Sequence, residues 1–479
     1  MLNSIYNIIF IPEIFLAFSS FICLLFGLYT KKNSFRQTSN LSVFILSLTI
    51  ILVYFDSGSN FANYEILFSR SSFINFFKIL ILLGSIASIL ISKDYFLGIK
   101  LKNFEIPILF LFSTLGMMLM IASNNLMSMY LAIELQSLSL YVAASIKRDS
   151  ISSAESGVKY FILGALSSGI LLYGFSLIYG FTGSMNFDKI SFYLLKYENL
   201  NLGLIFGLVF VMVGLAFKVS AVPFHMWTPD VYEGAPSSVT TILITLPKIV
   251  VLVALIKLLN KPFFFFESLW QQIIITITVL SMAVGSIAAL RQENIKRLFA
   301  YGTIANIGYV LVGVITNSEL GLSSAILYLV IYTLASLGVF SFIMMLRKEN
   351  TQILNLQALA GFSQSNSLAA VCMIILLLSM AGIPPFAGFF AKFYIFVSAV
   401  ESDFLFLAII GVIFSVISAF YYLKIIKIMY MENQDDSSTF ELDNRMLLFL
   451  IVVSIAMLLF IFFANDIISF INNLNIRNK

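Results

Sequence analysis

The stretch LGLIFGLVFVMVGLAFKVSAVPFHMWTPDVY at 202–232 is too long to cross a membrane as one straight helix, and a proline interrupts it. Roughly 30 residues rising about 1.5 Å each would make about 45 Å of helix, whereas the hydrocarbon core of a bilayer is about 30 Å thick. Pro223 lacks an amide hydrogen and its ring clashes with the carbonyl four residues earlier, so the helix should kink or unwind just before it. Lys218 lies five residues before this predicted break.

A second stretch has the same features near the other end of the chain. SLAAVCMIILLLSMAGIPPFAGFFAKFYIFVSA at 367–399 also exceeds the thickness of the core. It is interrupted by Gly382, Pro384, Pro385 and Gly388. Lys392 follows the second proline by seven residues. The sequence therefore predicts one broken membrane helix in each half of the chain, and each of them carries a lysine.

The composition indicates that most of the chain faces lipid or other apolar helices. Hydrophobic residues make up 60% of the 479 residues and charged residues 11%, against about 25% charged residues in an average soluble domain. The net charge of +4 offers no basic stripe, so nucleic acid is not an expected partner. Cys23 and Cys372 lie in apolar segments without a CxxC pair, and there is 1 histidine. We therefore expect no metal, cofactor or redox centre in this chain.

Apolar runs long enough to cross a bilayer follow one another along the whole chain, with short connections and no cleavage pattern of a signal peptide after the first. They predict a single all-α polytopic membrane domain with about 14 transmembrane helices. The predicted spans are 5–28, 40–56, 72–92, 104–122, 125–146, 157–180, 201–232, 236–257, 269–290, 298–316, 320–346, 367–398, 403–428 and 446–468.

Lysine and arginine are concentrated in alternate loops. Of the 28 basic residues, sixteen lie in one set of loops, seven lie in the other set and the C-terminal tail, and five lie within spans. The positive-inside rule places the richer set in the cytoplasm or matrix. Both termini are then predicted on the opposite side, which an even number of spans also requires.

The two broken helices are typical of transporter folds built from internal repeats. The predicted repeats are 104–257 and 269–428, with five spans each, preceded by three helices in 1–103 and followed by the last helix at 446–468. An odd number of spans per repeat makes the second copy inverted in the membrane. Ala221–Phe224 aligns with Ile383–Phe386, although the two lysines then fall on opposite sides of the break.

Four ionisable residues lie deep inside apolar spans: Glu134, Lys218, Lys248 and Lys392. An ionised side chain at the bilayer centre costs roughly 2.5 to 3.5 kcal/mol, so these residues mark a candidate route for charge. Three lysines against one carboxylate leave the set uncompensated. We therefore expect at least one lysine to be neutral part of the time, as a proton carrier must be.

Polar side chains accompany these charges at helical spacing, which places them on one face of a helix. The three faces are Tyr130, Glu134, Ser137 and Tyr141 on the fifth span; Thr241, Thr245 and Lys248 on the eighth; and Ser415, Ser418 and Tyr422 on the thirteenth. Such faces can hold water and conduct protons, but they also serve as contacts between membrane helices.

Other polar residues allow structural or functional interpretations. Glu134 and a lysine could form a purely structural ion pair. Lys78 and Lys159 lie near span ends, and we expect both to reach the membrane interface. His225, two residues after Pro223, could relay protons or could form hydrogen bonds at the interface beside Trp227.

Four strings resemble the antiporter-like membrane subunits of NADH-quinone oxidoreductase, or respiratory complex I. They are LAIELQSLSLYV at 131–142, AFKVSAVPFHMWTPDVYEGAPSSVT at 216–240, RQENIKRLFAYGTIANIGY at 291–309 and LLSMAGIPPFAGFFAKFYIF at 377–396. TPDVYEGAP at 228–236 and a lysine at 392 are more similar to the N-type subunits than to the L and M types. The resemblance covers nearly the whole chain.

This resemblance implies fourteen helices, two inverted five-helix repeats and broken helices 7 and 12. It implies that Glu134, Lys218, Lys248 and Lys392 transfer protons, with NADH, FMN, iron–sulfur clusters and quinone bound by partner subunits. M-type and K/J-type subunits are the expected neighbours in the lipid bilayer. The implied location is the bacterial inner membrane or, alternatively, the mitochondrial inner membrane.

The resulting hypothesis is that electron transfer in partner subunits changes the pairing of Glu134 with Lys218. The proton of Lys218 then passes to Lys248 and on towards Lys392. Two alternatives stay open at this point. The chain could belong to a multisubunit cation/proton antiporter. Alternatively, it could be a structural spacer in the membrane arm, whose buried charges only keep neighbouring subunits in alignment.

Overall fold

The computed structural model describes residues 11–30, 32–56, 67–196, 201–348, 351–433, 440 and 443–474. The first six residues of the predicted span 5–28 lie outside this part of the chain. So do three of the basic residues used for orientation, Lys31, Arg477 and Lys479.

Helices are the regular elements of the described residues in the first half of the chain. Its helices are α1 Ile11–Tyr29, α2 Ser34–Phe55, α3 Ser72–Gly98, α4 Glu105–Ala122, α5 Leu126–Ala144, α6 Ile151–Thr182, α7 Phe187–Lys196, α8 Leu202–Val219, α9 Trp227–Gly234, α10 Ser237–Ile244 and α11 Leu246–Asn260.

The second half continues as helices, with one two-stranded antiparallel ribbon between α14 and α15. Its elements are α12 Glu267–Leu290, α13 Ile295–Ile315, α14 Glu319–Met345, β1 Arg347–Lys348, β2 Thr351–Gln352, α15 Phe362–Ser365, α16 Ser367–Ala381, α17 Ala387–Glu401, α18 Leu405–Met431 and α19 Asn444–Asn472. Short 3-10 turns cover Phe264–Phe266 and Leu356–Leu359.

The predicted all-α membrane fold is confirmed. Among the described residues, 13 spans are long and apolar enough to cross a membrane. The predicted span 367–398 is not among them, because it consists of α16 and α17, each 15 residues long. The count of about 14 is therefore close, and the difference comes from the second broken helix.

The chain forms two compact units. The first contains the described residues up to Lys93, Leu101–Val219 and Leu246–Trp270. The second contains Asp94–Lys100, Ser220–Thr245 and the residues from Gln271 onwards. The chain passes between units at Val219 and again at Leu246, which are also helix ends.

Both predicted breaks are present. α8 ends at Val219, and Ser220 follows with φ of 69°. α16 ends at Ala381, and Gly382 follows with φ of 81°. A left-handed residue is a common way to end a helix, since it turns the chain away from the helix axis. Serine rarely adopts this conformation, so its presence indicates that the surrounding contacts determine it.

The eighth predicted span contains a third break, which corrects the prediction of a continuous helix. α10 ends at Ile244 and α11 begins at Leu246, with Thr245 outside helical geometry at φ of −104° and ψ of −84°. Pro247 supplies the physical reason, because it has no amide hydrogen to donate to the carbonyl of Leu243. That carbonyl accepts a hydrogen bond from the Tyr232 hydroxyl instead, at 3.0 Å.

Each unit contains one bridge between two asparagines, which we call a clip, and the two clips have the same construction. Asn125 begins α5 and pairs with Asn186, whereas Asn294 begins α13 and pairs with Asn355. The two clips are offset by a constant number of residues. Asn294 follows Asn125 by 169 residues, and Asn355 follows Asn186 by 169 residues. The side chain of each N-terminal asparagine also caps its helix, which satisfies amides that have no partner within the helix.

Two glycines follow the same spacing. Gly116 in α4 lies against the backbone of α5 at Ala132 and Gln136, and Gly285 in α12 lies against the backbone of α13 at Tyr301 and Ala305. Small residues allow membrane helices to approach this closely. The repeated contact therefore supports internal duplication more directly than the sequence alignment does.

Arg297 fastens the short helix α9 within the second unit. Its Nη1 atom donates to Asp230 Oδ1 at 3.0 Å and to Glu233 Oε2 at 2.9 Å. Glu233 also accepts a bond from Asn294 at 3.0 Å. These side chains are about one-third exposed, which limits the energy of the ion pairs.

Replacing Arg297 with methionine is therefore expected to loosen α9 without unfolding the chain. The loss should be about 1 kcal/mol, because two partly exposed charge-assisted hydrogen bonds disappear. Hydrogen–deuterium exchange of the amides in 227–234 would measure it as faster exchange. Arg148→Met, which changes an exposed arginine of the first unit, serves as the control. Unchanged exchange in 227–234 would contradict this role of Arg297.

Candidate functional site

Lys218 is held by hydroxyl groups inside the first unit. Its ammonium donates to Ser137 Oγ at 2.9 Å, Tyr141 Oη at 3.2 Å and Ser168 Oγ at 3.3 Å. The side chain is 6% exposed. Ser137 and Tyr141 belong to the predicted polar face of α5, so that face does contact a buried charge. Ser168 on α6 was not predicted, because a lone serine gives no sign of which neighbour it meets.

Glu134 lies on the same face of α5 but does not bond to Lys218. Among the described residues, no salt bridge joins the two side chains, and Glu134 Oε1 is buried without a hydrogen-bond partner. The predicted direct pairing is therefore wrong for this structure. The charge of Glu134 still acts on Lys218 through space, which is consistent with its place one turn from Ser137.

Lys248 connects to Lys218 through the end of the broken helix. Its ammonium donates to the backbone carbonyl of Lys218 at 3.2 Å. That carbonyl is in the last turn of α8, where no following amide can reach it. Lys248 is 1% exposed. The break that Pro223 predicts thus provides an acceptor for the second lysine, within the same unit.

Lys392 has a similar environment in the second unit. Its ammonium donates to the Ala381 carbonyl and to Ser415 Oγ, both at 2.9 Å, and lies 4.8 Å from the centre of the Tyr309 ring. Ala381 is the last residue of α16, so the carbonyl is freed by the break at Gly382. Ser415 belongs to the predicted polar face of the thirteenth span, whereas Tyr309 was noted only as part of a motif.

Each unit therefore places a lysine ammonium at the carbonyl end of a broken helix. The aligned peptide dipoles give such an end a partial negative charge, which stabilises a cation there. The freed carbonyls also supply the hydrogen-bond acceptors that a charged lysine needs away from water. A neutral amine could donate to the same carbonyls, so the site tolerates both protonation states.

A polar path continues from Lys392 along the second unit. Ser418, one turn after Ser415, lies 3.0 Å from Ser286 Oγ and 3.5 Å from Tyr309 Oη. A small cavity of about 10 Å³ is lined by Asn306, Tyr328, Tyr332 and Ser379, among others. This volume is close to the minimum for one water molecule, and its polar lining offers partners to it.

The remaining predicted residues are less closely associated with these lysines. Thr241 and Thr245 donate to carbonyls of their own chain segment, at 2.8 and 2.7 Å, which accounts for their hydroxyls. His225 lies outside the helices, and its Nδ1 is buried with no hydrogen-bond partner among the described residues. Both interpretations of His225 stay open.

Lys78 does not reach the interface, so that prediction is wrong. Its side chain is 1% exposed and forms an ion pair with Glu13 at 2.5 Å. Glu13 was missed because it stands near the start of the first span, where a carboxylate usually contacts water. Lys159 is 40% exposed and pairs with Glu155, as an interfacial lysine would.

Metal-binding groups are scarce. Within the described ranges, no cluster of three or more His, Cys, Asp or Glu side chains could hold a metal ion. Cys23 and Cys372 are buried and free.

Comparisons with known proteins agree on one family. The family model described as "NADH:quinone oxidoreductase/Mrp antiporter, TM" matches residues 123–418. NADH-quinone oxidoreductase subunit N of Bartonella bacilliformis is 45% identical and covers 95% of this chain and 94% of the relative. The Pelagibacter ubique subunit N is 44% identical, with 97% and 98% covered.

Solved structures with the same fold come from two kinds of complex. A chain of respiratory complex I from Thermus thermophilus with bound aureothin has a TM-score of 0.80 at 26% identity, covering 96% of this chain and 99% of that one. A chain of the Mrp complex from Dietzia sp. has a TM-score of 0.83 at 19% identity, covering 98% and 97%. The second likeness shows the fold alone.

Proposed function

Because this chain belongs to the subunit N family of NADH-quinone oxidoreductase, we propose that Glu134, Lys218, Lys248 and Lys392 carry its protons. Members of this family are antiporter-like, proton-translocating membrane subunits of a multisubunit enzyme, and the electrons move in other subunits. The antiporter-complex and spacer alternatives are not favoured, since relatives at 42–46% identity over 88–95% of this chain are named NADH-quinone oxidoreductase subunit N.

One observation carries this assignment: the Lys248 ammonium donates to the carbonyl of Lys218 at 3.2 Å. Two lysines linked through one buried helix end cannot both be charged without repulsion in a poorly solvating environment. A proton arriving at one lysine therefore favours release from the other. A proton relay needs this coupling between two sites, whereas a purely structural contact does not need it.

The proton step in the first unit begins at Lys218. Its three hydroxyl partners can each accept a bond from the ammonium and can donate one to the neutral amine after rotation. A change in the protonation of Glu134 alters the electrostatic stabilisation of the Lys218 cation. The proton then moves towards Lys248. Lys392, with Ser415 and Tyr309, performs the corresponding step within the second unit.

Several finer assignments accompany this proposal. The five-helix repeats are 104–257 and 269–428, supported by the equal spacing of the asparagine clips and of Gly116 and Gly285. The bias of basic residues supports both termini on the periplasmic side of a bacterial inner membrane. M-type and K/J-type subunits are the proposed neighbours, and NADH, FMN, iron–sulfur clusters and quinone the proposed cofactors and substrates of partner subunits.

Replacing Lys218 with alanine tests the proposed function. The assembled complex, reconstituted in proteoliposomes, should oxidise NADH in the presence of an uncoupler but acidify the vesicle interior much more slowly. Lys147→Ala removes an exposed lysine of the same unit and should leave acidification unchanged. Acidification at the wild-type rate by the Lys218→Ala complex would show that Lys218 does not carry the translocated protons.

A further inference from the structure

A buried ion pair lies in the first unit, and neither of its residues is among the four discussed above. Lys78 Nζ is 2.5 Å from Glu13 Oε1, and the side chains are 1% and 3% exposed. The two residues stand within α1 and α3, both of which are long and apolar enough to cross a membrane. Ionisable residues in such segments usually face a route for ions or protons.

The pair is poorly arranged for a purely structural role. Both carboxylate oxygens of Glu13 are buried without a well-oriented hydrogen bond among the described residues, and only Oε1 is in ion-pair contact with Lys78. Buried carboxylates normally accept bonds on both oxygens, and a buried ion pair repays its desolvation only when its remaining lone pairs are satisfied. Two apolar side chains would stabilise the same contact at least as well. The Oε2 atom is instead a free acceptor for a proton.

The depth of the pair follows from helix geometry within this unit. Gly84 of α3 packs against the Leu246 side chain near the start of α11. At about 1.5 Å per residue, Lys78 lies ~9 Å from that level, Lys248 ~3 Å and Lys257 ~16 Å. The helices run in opposite directions, because Lys257 Nζ reaches Ser69 at 3.2 Å, just before α3 begins. Lys78 therefore lies in depth between Lys248 and Lys257.

A titratable carboxyl group, that of Asp56, lies close to the end of α3 from which Lys78 is reached. Asp56 follows α2 directly and pairs with Arg70 at 3.0 Å, with 13% of its side chain exposed. Asn75, three residues before Lys78 on the same face of α3, donates to the Asp56 carbonyl at 3.3 Å. Burial raises the pKa of Asp56, while the charges of Arg70 and Lys78 oppose that rise. Asp56 can thus accept a proton and exchange it with water.

We propose that Glu13 and Lys78 form a proton-holding site between Lys248 and Asp56, which gives the first unit its own exit. A proton leaves the Lys248 ammonium, crosses by way of water and binds Glu13 Oε2. One N–H bond breaks, one O–H bond forms, and no electrons are exchanged. The ionised and the protonated forms of Glu13 differ by this one proton. The proton then passes to the Asp56 carboxylate and to solvent.

The inference rests on the proposed function and is tested in the whole reconstituted complex. Glu13→Gln removes the acceptor with little change of shape, and a double variant, Glu13→Leu with Lys78→Met, replaces the ion pair by an apolar contact. Protons translocated per NADH oxidised should fall in both by the same fraction as in Lys248→Met. Glu155→Gln removes the carboxylate of an exposed ion pair in the same unit and should change nothing.

The outcomes separate this proposal from the previous one. Normal protons per NADH in an assembled Glu13 variant would overturn the exit site alone, provided that Lys248→Met shows its loss. Normal values in Lys248→Met would overturn the proposed function itself. If the neutral variants fail to assemble, Glu13→Asp keeps the pair, and its shifted carboxyl band should appear in infrared difference spectra during turnover. If no shifted band appears, Glu13 does not change its protonation state during turnover, and the proposal is wrong.

Discussion

Replacing Lys248 with methionine is expected to lower the rate of NADH-driven proton translocation by about fivefold or more, equivalent to about 1 kcal/mol on the barrier. Methionine keeps most of the volume of the lysine side chain, so the packing of α11 should persist. It removes the ammonium that donates to the Lys218 carbonyl. The relay then loses the group that takes the proton from Lys218, and Lys218 loses its coupled partner.

A second variant separates proton transfer from a structural role. Arginine at 248 keeps the positive charge and the donors but does not deprotonate in proteins. We expect Lys248→Arg to retain assembly and to translocate as slowly as Lys248→Met. The measurement is the initial rate of vesicle acidification divided by the rate of NADH oxidation, with Lys147→Ala as the reference. Full activity in the arginine variant would show that Lys248 acts only as a fixed cation.

The breaks at Pro223 and at Pro384–Pro385 could be predicted because proline acts on its own helix and needs no knowledge of neighbours. The faces holding Ser137, Tyr141 and Ser415 could be predicted from helical spacing for the same reason. The break at Thr245 was missed although Pro247 indicates it, since Thr241, Thr245 and Lys248 fit a helical stripe well.

What could not be predicted depends on contacts between distant segments. Glu13 and Lys78 are 65 residues apart, and nothing local shows that α1 and α3 bring them together. Lys218 was expected beside Glu134 because opposite charges attract. Three hydroxyls satisfy its ammonium instead, one of them from α6. Sequence spacing gives the face of a helix but not the identity of the residue opposite.

The second prediction with a large effect concerns the close approach of helices at Gly116 and Gly285. A methyl group at Gly116 would lie 2.6 Å from the Gln136 amide nitrogen, and one at Gly285 would overlap the amide nitrogen of Ala305. Both contacts are with backbone, which cannot rotate away as a side chain can. Each alanine substitution should therefore push two helices apart, at about 1–3 kcal/mol or more.

Gly169→Ala is the matched control, because this glycine also lies within a helix, α6, and a methyl group there would meet nothing within 4 Å. Alanine favours helix over glycine by about 1 kcal/mol, so the control should be neutral or slightly stabilising. Yield of assembled complex and the temperature of its thermal unfolding would measure all three variants. Because Gly116 and Gly285 hold equivalent places in the two proposed repeats, similar losses are expected from both. A loss at one position and none at the other would contradict the proposed equivalence of the two repeats.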